Sequence, residues 1–153
     1  MAITTALATS FKVDILSGGH NFNTTNRALS SNTQDVFKIA LYTSAATLDS
    51  TITAYTATNE VSGTGYSAGG ATLTINQVPT SSGSPTTTAF IDFADVSWTS
   101  ASFTANGALI YNSSNSNRAV AVLAFGADKT VVSGTFTIQF PASGAGASII
   151  QIA

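Results

Sequence analysis

Charge is what this chain has least of. Seven acidic and five basic residues make up 8% of 153 positions, about a third of the share in an ordinary soluble domain. A protein that works alone in solution normally relies on charge for colloidal solubility, so this poverty points to a life against other proteins. The net charge of −2 is small, and Lys12, Arg27, Lys38, Arg118 and Lys129 are scattered, which argues against nucleic acid as a partner. Cysteine is missing altogether, which excludes disulfides and thiolate metal sites. No apolar run approaches the roughly 20 residues that span a bilayer as a helix, so no membrane partner is expected. A positive n-region is missing from Met1 to Ser10, which predicts synthesis and use without Sec export.

What replaces charge is Ser, Thr, Ala, Gly and Asn. The length suits one domain, taken here as a single β-rich unit over 1–153. Such a chain buries about 68–70% of its unfolded surface, enough for a real core. From Ala6 to Ser17, Leu7, Phe11 and Ile15 recur every four positions, with Ala8 and Leu16 widening the stripe. That spacing predicts one amphipathic N-terminal helix over about 6–17. Thr4 or Thr5 is placed to cap its start, and Gly18-Gly19 to end it.

The β core is expected over about 35–153. Val36 to Thr43 is short, β-branched and aromatic, as a buried strand should be. Ala71 to Val78, Ala89 to Phe93, Val96 to Trp98, Ala119 to Phe125, Thr135 to Phe140 and Ser148 to Ile152 read as further strands. Asn106-Gly107, between Phe103 and Ala108 to Tyr111, signals a tight hairpin. Seven or eight short strands predict a mainly β fold, a β-sandwich or jelly-roll-like barrel with one short helix. Thr43 to Gly70 and Thr80 to Thr88 are expected as long excursions.

Catalytic patterns fail on context. Gly65-Tyr66-Ser67-Ala68-Gly69 fits a nucleophile elbow, but it leads into a strand and no histidine follows Ser67. Gly63 to Ala68 fits a relaxed dinucleotide fingerprint without the strand and helix that make it work. Asp92 and Asp95, three apart in extended chain, point to opposite faces, and Asp95 reads as a turn acid. Asp49, Asp92, Asp95 and Asp128 lack calcium-loop spacing. His20 has no second histidine or cysteine to share a metal, and reads as a helix-end residue bonding terminal carbonyls. Trp98 reads as core. Asn23-Thr24-Thr25 and Asn112-Ser113-Ser114 match sequons by pattern alone. No catalytic, cofactor-binding or metal residue is assigned, and no enzyme is expected.

Four ordered segments carry a family resemblance. They are Ser10-Phe11-Lys12 through Leu16 to Gly19-His20-Asn21-Phe22, Asp35 to Ser44, Asn59 to Tyr66, and Gly107 to Asn112. Together, from about Ser10 to Phe125, they resemble a widespread group of small virion-associated proteins of tailed bacteriophages. The resemblance implies a structural part of the virion, with a capsid decoration or cement protein as the first expectation. It implies the major capsid protein or other virion proteins as partners, with self-association, a trimer by expectation. A tail-, collar- or fibre-associated role, with host-surface glycan binding, is the alternative.

Leu7, Phe11, Ile15, Tyr55 and Tyr66 are the candidate interface residues. The stripe Leu7, Phe11, Ile15 serves equally well to pack the helix on its own sheet. Tyr42, Tyr55, Tyr66 and Tyr111 are the aromatics a glycan site would use, or else half-buried residues with hydroxyls bonded to backbone.

Overall fold

A computed structural model describes residues 2–23, 33–81, 88–144 and 146–152. Along the chain run β1 (Ala6–Leu7), α1 (Thr9–Leu16), β2 (Phe37–Tyr42), β3 (Ala71–Thr72), β4 (Ile75–Ser81), β5 (Ala89–Phe93), β6 (Val96–Asn112), β7 (Arg118–Ile138) and β8 (Ile150–Ile152). The fold is mainly β, with two antiparallel sheets in a sandwich-like arrangement and one short helix. The larger sheet has the order β1-β7-β6-β2-β3 and the smaller β4-β5-β8. Phe37 of β2 and Phe93 of β5 meet at 5.8 Å between ring centroids, joining the two sheets through the core.

The expected run of short strands is replaced at its centre by one long hairpin. Strands β6 and β7, of 17 and 21 residues, absorb four of the predicted segments. Asn106-Gly107 is not its turn. It lies inside β6, where Gly107 pairs with Ala124. The glycine serves close approach: a Cβ there would lie 2.6 Å from Leu123 O and 2.7 Å from an Ile3 methyl. Asn106 donates its side-chain amide to Asp128 Oδ1 at 2.8 Å, across a break in register between Ala105 and Gly107. The real turn runs from Ser113 to Asn117, with Ser116 and Asn117 at φ 50° and 57°.

Helix α1 starts later than its apolar spacing suggests. Ala6 and Leu7 pair with Val122 and Ala121 as an edge strand, and Ala8 takes the N-cap position without a side-chain bond. Thr5 does not cap; its Oγ1 accepts from Ala124 N at 2.9 Å. The helix ends as expected, with Gly18 at φ 70° and its N–H donated to Ile15 O at 3.1 Å. The predicted strand Ala71 to Val78 is split into β3 and β4, which belong to different sheets. Residues 82–87 of the predicted Thr80 to Thr88 loop lie outside the described residues, and β4 occupies its first two positions.

The Thr43 to Gly70 excursion folds back on the larger sheet. Bridges Tyr42 to Glu60, Ala54 to Arg118 and Thr64 to Ser102 pin it, and Leu48 and Val61 enter the core. It carries no named strand, because its hydrogen bonds go to single positions on neighbouring elements and not to a ladder.

Candidate assembly surface

The apolar stripe on α1 splits between two jobs. Phe11 is fully buried, with its ring 4.9 Å from that of His20 and 6.1 Å from that of Phe22. It is a core residue of this chain and is not open to a partner here. Leu7 and Ile15 are half-buried against the same core. The apolar side chains that α1 presents outward are different ones: Val13 is 59% and Leu16 89% exposed. They are three apart and so share a helix face.

Beside Leu16 lies a groove of about 410 Å³ between α1 and β8, walled by Leu7, Phe11, Ile15, Ile150 and Ile152 with Lys12 at its rim. A smaller cavity of about 180 Å³ shares Ile15, Ile150 and Ile152 and extends the apolar surface to Phe22 and Phe90. Ile152, on the outer strand of the smaller sheet, is itself 55% exposed. A second apolar groove of about 550 Å³ follows the far end of β7, along Leu123, Phe125, Phe136, Ile138 and Phe140.

Tyr55 and Tyr66 do come together, but around a carboxylate. Tyr55 donates its hydroxyl to Glu60 Oε2 and Tyr66 to Glu60 Oε1, each at 2.6 Å. The Gly69 N–H adds a third bond to Oε1 at 2.7 Å. Tyr66 Oη in turn accepts from Leu41 N at 2.9 Å. Tyr42 donates to Thr56 O and Tyr111 to Gly69 O, and Tyr55 stacks on Tyr111 at 4.8 Å. Burial first, and then the Glu60 carboxylate, push the Tyr55 hydroxyl up to about 12 and raise that of Tyr66 as well. All four hydroxyls are thus engaged within the chain, two on backbone and two on Glu60. The network ties the long excursion to β2.

Glu60 was not singled out from sequence, yet it is the chain's one glutamate and lies within six residues of two tyrosines. Replacing Glu60 by Gln exchanges three charge-assisted bonds for neutral ones. The expected loss is about 1–2 kcal/mol, or roughly 2–8 °C in a thermal melt of a chain this size. An unchanged midpoint would mean that the carboxylate charge does not hold the excursion down.

A second polar network joins α1 to the β6–β7 turn. Asp14, largely buried, accepts a paired contact from Arg118: Nη2 to Oδ1 at 2.7 Å, with Nε on Oδ2. His20 does not bond helix-terminal carbonyls. It is buried, with Nδ1 3.0 Å from Asn112 Nδ2 and Nε2 3.5 Å from Asp14 Oδ2. The carbonyl of Gly19 is instead taken by Asn115 Nδ2 at 2.6 Å.

The remaining residues fall where chemistry finds little. Ser67 sits in a turn, its carbonyl accepting from Gly70 N at 3.0 Å, and the chain continues into β3. Asp95 is a turn acid, accepting from Phe140 N at 2.9 Å. Asp92 is buried in β5 with Oδ1 unpartnered. Trp98 is buried against Phe103 and Phe136. Among the described residues no three His, Asp or Glu side chains converge as metal ligands, and no helix is long and apolar enough to cross a membrane. A scan against family models and searches of curated proteins and of solved structures return no match, so the family resemblance rests on the four sequence segments alone.

Proposed function

We propose that this chain is a non-enzymatic structural protein of a tailed-bacteriophage virion, a capsid decoration or cement protein that binds the outer shell. The observation that carries the proposal is the apolar surface along α1 and β8 on a chain with 12 charged residues. Leu16 and Ile152 stand out from it, with an open groove lined by both, and Val13 is exposed elsewhere on α1. Contiguous exposed apolar surface is where proteins meet other proteins, membranes or ligands, and the low charge of this chain favours a protein partner.

Cementing needs only modest contacts. A standard interface buries roughly 1,200–2,000 Å², and repetition around a symmetric shell multiplies weak contacts through avidity. In this reading the major capsid protein is the partner, and the decoration unit is a trimer of this chain. Leu7 and Ile15 contribute as walls of the groove, and Leu16 as its projecting edge.

The test is where the protein sits and how many copies there are. Antibody labelling of intact virions with quantitative mass spectrometry should give dense label over the head and hundreds of copies per particle. Sparse label at the tail, with copies in small multiples, would replace decoration by the tail- or collar-associated role. Absence from purified particles would reject the virion reading.

A further inference from the structure

Asn112, the last residue of β6, is fully buried. Its Oδ1 accepts from Ser114 N at 3.0 Å and Asn115 N at 3.1 Å, which holds the turn closed. Those two bonds fix the orientation of the amide, so the NH₂ end faces inward. There it meets Asp35 Oδ2 at 2.7 Å and His20 Nδ1 at 3.0 Å. A ring nitrogen opposite an NH₂ group must be the bare, accepting one. The hydrogen-bond pattern around Nδ1 therefore assigns the His20 proton to Nε2, which faces Asp14 Oδ2 at 3.5 Å without a hydrogen-bond partner among the described residues.

We propose that His20 and Asn112 form a proton-operated latch between the end of α1 and the β6–β7 turn. A proton taken from solvent onto Nδ1 sets N–H against N–H, and the Asn112 side chain must leave. Its departure frees the Ser114 and Asn115 amides and gives up the Asp35 contact. The same turn holds Gly19 through Asn115, so the corner behind α1 loosens with it.

The groups that face the ring set the direction of the response. Asp14 on α1 and Asp35 before β2 favour the imidazolium; burial and Arg118 on β7 oppose it, and burial is the largest effect. His20 is thereby held below the ordinary value of 6.5. The unfolded or open chain then binds the proton first. The latch is fully closed above the ordinary histidine range and weakens as pH falls below it. The rings of Phe11, Phe22 and Phe37 pack around the imidazole, and His20 also lines the cavity shared by Ile15, Ile150 and Ile152, which gives a proton a way in from solvent.

The test needs the intact protein and no ligand. Imidazole nitrogen NMR at pH 7.5 should show Nε2 protonated and Nδ1 bare. Hydrogen-exchange protection factors of Ser114 and Asn115 should fall by up to tenfold per pH unit on acidification below the histidine range, the limit for one proton. In His20→Phe, which keeps an aromatic ring and removes the titration, both protection factors should be flat over the same interval. Protonated Nδ1 at neutral pH, flat protection in the natural chain, or a pH response that survives in His20→Phe would each overturn the latch. If His20→Phe does not fold, the nitrogen spectrum and the protection profile of the natural chain decide the matter.

Discussion

Gly70→Ala is expected to leave no folded protein in the soluble fraction. Gly70 sits where the long excursion returns to the larger sheet, one residue before β3 pairs with β2. Two costs meet there. Its φ is +68°, a conformation that costs a residue with a Cβ about 1–2 kcal/mol. The added carbon would also overlap Ile39 O and lie 2.6 Å from Ile39 C and 2.7 Å from Ala40 Cα. These are backbone atoms of fully buried β2 residues, so the overlap is relieved only by pulling β3 off β2. Gly126→Ala separates the two costs: its φ is +75°, but nothing lies within 4 Å of the new carbon. That variant should stay folded with a loss of about 1–2 kcal/mol. Equal behaviour of the two variants in chemical denaturation would show that close approach to Ile39 is unimportant.

Phe11→Ala should cost about 3–5 kcal/mol, the usual result of removing a buried aromatic ring. The ring is fully buried and packs on His20 and Phe22, so its removal leaves a cavity under α1. For a chain of this size the melting midpoint should drop by roughly 6–20 °C. Leu16→Ser is the companion variant. At 89% exposure Leu16 contributes little to the monomer, and the change should stay within about 0.5 kcal/mol. On virions the order should reverse, with Leu16→Ser impairing attachment while its fold is intact. A Phe11→Ala loss below about 1 kcal/mol would mean that the helix is held by something other than its buried ring.

Why some of this was legible in the sequence, and some not, follows from how far apart the determinants lie. Strand β2 declares itself because Phe37, Ile39 and Leu41 alternate on one buried face while Ala40 and Tyr42 are buried on the other. The end of α1 is equally plain, since a left-handed glycine acts locally. Its start is not, because Leu7 fits helical spacing but is claimed by Ala121, a partner more than a hundred residues away. Asn106-Gly107 misleads for the same reason: the glycine answers to Ile3 and Leu123 across the sheet, which local turn chemistry cannot reveal. At the candidate surface, four-residue spacing marks Leu7, Phe11 and Ile15 as one stripe, of which Phe11 and Ile15 lie on α1 and Leu7 on β1. It does not say that the stripe faces inward, nor that Leu16 is left outside. The Asp14–Arg118 pair spans 104 residues, and nothing near Asp14 announces it.

The long hairpin also sets the order in which this protein can become itself on the ribosome. Strand β2 pairs with Gly107 to Asn112 and β1 with β7, so the earlier elements of the larger sheet wait for a hairpin made after them. Between Tyr42 and Gly107 lie some 65 residues, which at about 5–20 residues per second take roughly 3–13 s to add. Throughout that interval Phe37, Ile39 and Leu41 have no longer strand to lie against than the two residues of β3. A nascent chain holding such a segment is an apolar, β-prone ligand for whatever chaperone meets it first. Assembly of the sheet is therefore a late event, triggered when β6 and β7 close on each other and present both of their outer edges at once.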